Sequence, residues 1–247
     1  MFLALPLYDD TPRVTPPVAT FGLVAACCAV YLWQAGLPPR AAEDATLAYG
    51  MVPAVLFGHV ALPDYMRAIP PWMTIFTSMF MHGGLLHLGG NMLYLWIFGR
   101  AVEMGLGPVR YVVFYLVCGT VAALTQAQVD PTSHVPMIGA SGAIAGVLGA
   151  YLVLNPRGNV EVFFWIIIIF RLIAVPAVFL LGIWFAMQLA SALSAAGEPG
   201  VAVWAHVGGF LTGMALVPVF RRPGVRLMHP SRSPAFRLAP RRRGPWG

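Results

Sequence analysis

Charge is scarce in this chain: only 10% of its 247 residues are acidic or basic, lysine does not occur, and all 15 basic residues are arginine. A soluble domain carries about a quarter charged residues. With 59% hydrophobic residues and a mean hydropathy of +0.76, a soluble globular protein is excluded. Cysteine is nearly as sparse. Cys27, Cys28 and Cys118 show neither a Cys-x-x-Cys pair nor zinc-ligand spacing, so no disulfide framework or redox site follows and they read as small apolar packers. No H-E-x-x-H occurs, and a His82, His87, His206 set lacks a carboxylate or fourth ligand, so no metal or other cofactor is expected. Nor is there a G-x-S-x-G elbow, which removes the soluble hydrolase fold. The exclusive use of arginine fits a GC-rich genome.

What the chain does have is long apolar runs. Six recur: Val18 to Leu37, Leu85 to Gly99 with its flanks, Val109 to Ala127, Gly139 to Leu154, Leu172 to Leu193 and Val201 to Phe220. About 20 apolar residues cross a bilayer as a helix, so the expected fold is an all-α bundle of six transmembrane helices over residues 17–220. The first run follows Asp9 and Asp10 and is too long for a leader core, so it reads as an anchor. Residues 1–16 form a short lead and 221–247 a basic tail, read as disordered from its Pro, Ser and Arg content.

Eight arginines follow the last run. Placing that tail in the cytoplasm puts 13 arginines inside and only Arg40 and Arg67 outside, with both termini cytoplasmic. A bacterial cytoplasmic membrane is the expected location. Without a folded basic domain beside it, the tail implies attraction to anionic lipid and no nucleic-acid partner. The connection from Pro38 to Gly84, apolar yet broken by Pro53, Pro63, Pro70 and Pro71, reads as a long first loop lying in the outer interface. "VFFWIIIIF" before Arg171 reads as an inner interfacial piece or an extension of the fifth span, and Pro176 as a bend or a tolerated proline within that span.

This orientation gives spans two, four and six a common outer end, and there the embedded polar residues collect: His87 and Asn91, Ser141, and His206. Polar groups in hydrocarbon are costly and usually face a bundle interior or a wet cavity. His87 and Asn91, four apart, share one helix side. His206, Gly209 and Gly213 form one stripe, and Gly142, Ala145, Gly146 and Gly149 a matching small face, so spans four and six can press together and bring Ser141 to His206. An imidazole there can take the serine proton, the helix start favours negative charge, and His87 and Asn91 can donate to an oxyanion. Asp130 and Glu198 fall in outer loops, so the set reads as a Ser-His dyad without a third acid.

At these residues the chain resembles the rhomboid intramembrane serine proteases. "MHGGLLHLGGNMLYLWIFGRAVE", "IGASGAIAGVLGAYLVLNPRG" and "AHVGGFLTG" carry the likeness, in that order. The resemblance implies Ser141 as nucleophile, His206 as general base, and the Ser141 amide, His87 and Asn91 as oxyanion donors. It further implies structural roles for His82 and Glu103, and helix packing at Gly209 and Gly213. Two features depart from the family pattern. The first loop has no Trp-Arg pair, and Ala145 stands where an aromatic residue would stack on the base, which leaves the support of His206 open. The implied activity is hydrolysis of peptide bonds in or near transmembrane segments of other membrane proteins, entered through a gate at span five and the first loop. A client-binding protein without proteolysis, or a transporter, are the alternatives. Oligomeric state is not legible.

Overall fold

The computed structural model describes residues 2–11, 15–166, 169–194 and 202–228. After a strand β1 (Phe2–Asp9) come helix α1 (Val18–Ala35), three helices in the first loop, α2 (Pro39–Tyr49), α3 (Pro53–Leu56) and α4 (Thr74–Thr77), and the long helices α5 (Leu85–Leu106) and α6 (Pro108–Val129). Helix α7 (Ser141–Leu154), a hairpin of β2 (Asn159–Ile166) and β3 (Ile169–Pro176), α8 (Ala177–Leu193) and α9 (Val203–Phe220) complete the order.

Helix α7 is the centre. Every residue from Gly142 to Tyr151 is buried, and the burial follows from its small residues, which let neighbours approach to backbone distance. A Cβ on Gly142 would stand 2.8 Å from Ala122 Cβ on α6, and one on Gly213 of α9 would meet the Gly146 carbonyl carbon at 2.6 Å. Cys118 packs its side chain against Gly146, while all three cysteines are free thiols.

Each of the six apolar runs contains one helix. Three of them, α1, α6 and α9, are long and apolar enough to cross a membrane by length and composition. Helix α5 has the length, at 22 residues, but carries His87, Asn91, Arg100 and Glu103. Helix α7 has only 14 residues. It rises about 21 Å at 1.5 Å per residue, short of a hydrocarbon core about 30 Å thick.

The all-α expectation requires correction. β1, β2 and β3 form an antiparallel sheet in that order. The described residues of the "VFFWIIIIF" segment are the end of β2 and the start of β3, so it is not a helical extension of the fifth span; residues 167 and 168 lie outside the described set. Its β-branched and aromatic residues suit a pleated surface. Val160 and Val162 are buried on one face, while Trp165 stacks on its cross-strand partner Phe170 on the other at 5.6 Å. Pro6 is accommodated because β1 is an edge strand. Pro176 caps the start of α8 rather than bending a span, since a helix start has no use for its missing N–H.

Polar contacts tie this sheet to the helix ends. Asp9 pairs with Arg100 at 3.5 Å and accepts from the Tyr151 hydroxyl, and Asp10 accepts from the Asn159 amide at 3.0 Å. The basic tail is not loose from its start. Met228 donates its amide to the Val153 carbonyl, and Val225 packs on the core beside Gly105. Arg13, Glu198 and the arginines from 232 onward lie outside the described residues.

Glu103 shows how one buried charge organises the bundle. Its carboxylate accepts from the amides of Ala19 and Thr20 and from the Thr20 hydroxyl at 2.7–2.9 Å, capping the start of α1 from α5. Helix α1 has no side-chain cap of its own, and a negative charge at a helix start is favourable. Glu103→Leu strands three donors, two of them buried, and is expected to cost about 2–4 kcal/mol, read as a lowered thermal midpoint in detergent; Glu103→Gln should recover part of it.

Candidate functional site

The site lies where α5, α7 and α9 begin. Ser141 is the first residue of α7, so its amide and the next two have no acceptor within the helix. His206 sits in the first turn of α9, whose opening amides, those of Trp204 and Ala205, are capped by the Gln126 side chain of α6 at 3.1 and 3.3 Å. The backbone contact between α7 and α9 carries the two side chains together: His206 Nε2 is 2.9 Å from Ser141 Oγ. Sixty-five residues separate them in the chain.

The far side of the imidazole is also occupied. His206 Nδ1 is 2.7 Å from Gln188 Oε1 on α8, and the Trp184 ring, one turn earlier on the same helix, stands 6.0 Å from the imidazole centroid. The support that Ala145 does not offer therefore comes from α8.

Asn91 and His87 approach from α5. Both face Gly139, two residues before Ser141: a Cβ there would stand 2.8 Å from the His87 ring and 3.8 Å from Asn91 Nδ2. Gly139 also has a φ of +122°, which only glycine adopts without strain. Asn91 is buried, and its Nδ2 has no hydrogen-bond partner among the described residues. An orphaned buried donor costs about 1–3 kcal/mol, which makes it a waiting hydrogen-bond site. His87 is exposed, accepts the Gly83 amide at 3.3 Å, and meets the His82 ring edge-on. His82 is buried, with its amide bonded to Gln34 and Nδ1 near the Phe80 carbonyl, so it braces this wall.

The first loop closes the remaining side. Ser78 accepts the Gly139 amide at 2.8 Å, and Met51 and Met137 exchange both backbone bonds. Asp130 is engaged with its own turn, accepting from the Thr132 amide and hydroxyl. Among the described residues no group of three His, Cys, Asp or Glu is placed to share a metal ion.

The structure thus brings Ser141, His206, His87 and Asn91 to one end of the bundle, and puts Gly142, Gly146, Gly209 and Gly213 at the α7–α9 crossing. Gln188, Gln126, Trp184 and Gly139 were not singled out as site residues from sequence. Gln188 had a signal: it is the one side-chain amide of the apolar helix α8, the criterion that marks Asn91.

Residues 70–223, more than half of the chain, match the Rhomboid domain. The chain belongs to the rhomboid family and is an integral membrane protein. It is similar to Rhomboid protease GluP of Bacillus subtilis, with 39% identity over 88 residues, 35% of this chain and 17% of that protein. It is also similar to Rhomboid protein 1, mitochondrial, of Saccharomyces cerevisiae, with 30% identity over 180 residues, 64% of this chain and 48% of that one. RHOMBOID-like protein 6, mitochondrial, of Arabidopsis thaliana is 32% identical over 145 residues, 59% of this chain and 42% of that protein. The chain spans less than half the length of each. Because these relatives include mitochondrial proteins beside a bacterial one, the comparison does not select the bacterial membrane expected from sequence.

Proposed function

We propose that this protein is an intramembrane serine endopeptidase that cuts peptide bonds in or beside the transmembrane segments of other membrane proteins. The observation that carries the proposal is the 2.9 Å hydrogen bond from Ser141 Oγ to an imidazole held on its other side by Gln188. A serine hydroxyl becomes a competent nucleophile when a positioned base takes its proton. Ser141 attacks the scissile carbonyl, His206 receives the proton and passes it to the leaving amine, and water then releases the acyl group by the same relay. The oxyanion is met by the Ser141 amide at the helix start, with His87 and the otherwise unpartnered Asn91 Nδ2 as side-chain donors.

In this proposal α1, α5, α6, α7, α8 and α9 cross the membrane, with both termini in the cytoplasm and the site toward the outer face. The short α7 supports access of water from that face: a helix about 9 Å shorter than the hydrocarbon core can begin below the membrane surface, with Ser141 at its first position. Substrate enters past α8. Only Ala177 and Leu181, near its inner end, are buried, while Phe179, Ile183 and Met187 are exposed. A helical carbonyl is hydrogen-bonded and shielded, so a substrate segment must unwind, which favours small or helix-breaking residues at the cut.

Purified protein reconstituted with a model transmembrane substrate tests the proposal. Cleavage is expected at a site that moves with a glycine or proline placed in the segment. Stable binding of the segment without any cleavage would instead identify a client-binding protein.

A further inference from the structure

The structure assigns Gln188 as the positioning residue of the base: its side-chain oxygen selects the imidazole tautomer and fixes the ring so that the free lone pair of His206 faces the Ser141 hydroxyl. The inference rests on reading Ser141 and His206 as nucleophile and base, and it names what orients that base.

A neutral imidazole has one protonated and one unprotonated nitrogen, and the hydrogen bond at one settles the state of the other. Gln188 Oε1 can only accept. Lying 2.7 Å from His206 Nδ1, it requires the proton there, so Nε2, 2.9 Å from Ser141 Oγ, is left to accept. The reverse tautomer would place N–H against the hydroxyl and leave no base.

Helix α8 holds Gln188 to this task. Trp184 and Gln188 are four residues apart and share a helix face. Below them, Phe185 stacks on Phe210 of α9 at 4.6 Å and 19°, and Trp184 also meets Phe210 at 5.9 Å. The opposite face, with Ile183 and Met187, is exposed. An amide is the economical choice at such a position, since a carboxylate beside lipid carries a large desolvation cost. Among the described residues the groups around the ring are Ser141 on α7, Gln188 and Trp184 on α8, and His87 on α5 as the titratable neighbour; Gln126 on α6 is engaged with the start of α9. None of these described groups is a carboxylate, so an amide takes the place that an acid holds in a triad.

Two variants separate positioning from packing. Gln188→Met keeps the side-chain length but removes the acceptor. It is expected to lower kcat about 10- to 100-fold with KM and thermal midpoint little changed. Imidazole nitrogen-15 spectra should show the Nδ1 proton of His206 in the parent and a mixture of tautomers in the variant. Gln188→Glu restores the acceptor and adds charge. A carboxylate stabilises the imidazolium, so activity at alkaline pH is expected to match the parent while the acidic limb of kcat/KM moves up by about one pH unit.

The inference is overturned if Gln188→Met keeps the parent kcat and pH profile, or if Gln188→Glu loses as much kcat as the methionine variant and shows no shift of the limb. Should the methionine variant not fold, the glutamate arm decides alone. Parent-level cleavage by His206→Ala would instead defeat the underlying dyad reading; inactivity of that variant beside unaffected Gln188 variants defeats this inference only.

Discussion

Ser141→Ala and His206→Ala are each expected to reduce cleavage of a transmembrane substrate by at least about 10⁴-fold, and the double variant to fall no further. The two side chains act as one unit: without the hydroxyl the imidazole has nothing to activate, and without the imidazole the hydroxyl keeps its proton. Residual rate would come from substrate positioning and the oxyanion donors. Folding should be little affected, because Ser141 lies at the start of α7 rather than within its buried run and His206 is half-buried. The check is initial cleavage rates beside thermal midpoints for all four proteins. Loss of activity with an unchanged midpoint separates chemistry from collapse.

Gly213→Ala is expected to lower stability by about 3 kcal/mol, and Gly213→Val to prevent accumulation of folded protein. At this position the new Cβ meets not a yielding side chain but the Gly146 backbone of α7, with the carbonyl carbon at 2.6 Å and Cα at 2.7 Å. The helices must separate, and the same crossing sets the distance from Ser141 to His206. A misplacement of about 1 Å at a reacting centre can cost roughly 100-fold in rate, so activity should fall further than the folded fraction. Gly182→Ala on α8 is the control: nothing lies within 4 Å of its added Cβ, and alanine favours a helix. Thermal midpoint and specific activity for the three variants test the contrast. Equal tolerance at positions 182 and 213 would show that the crossing does not depend on backbone contact.

These cases mark what a sequence can disclose. The glycines of α7 and α9 were legible because their spacing matches a helix face, and Ser141, His206, His87 and Asn91 because polar groups amid apolar runs are conspicuous. The sheet was hidden for a physical reason: "VFFWIIIIF" is uniformly apolar, so periodicity cannot distinguish a strand from a buried helix or an interfacial piece. Its partner β1 lies at the other end of the chain, Phe2 pairing with Ile166. Glu103 was recognisable as structural through resemblance, yet the helix it caps is fixed by a contact 83 and 84 residues away. Gln188 meets the same criterion as Asn91, a polar group in an apolar helix, but its role is defined only by the packing that places it against Nδ1.

Reaction with a fluorophosphonate probe, located by mass spectrometry of the folded protein in detergent, tests the central claim most directly, because the probe reports an activated serine without needing a substrate. A single adduct on Ser141 is expected, lost after heat denaturation and in His206→Ala. An adduct on another residue, or undiminished labelling of Ser141 when His206 is alanine, would contradict it.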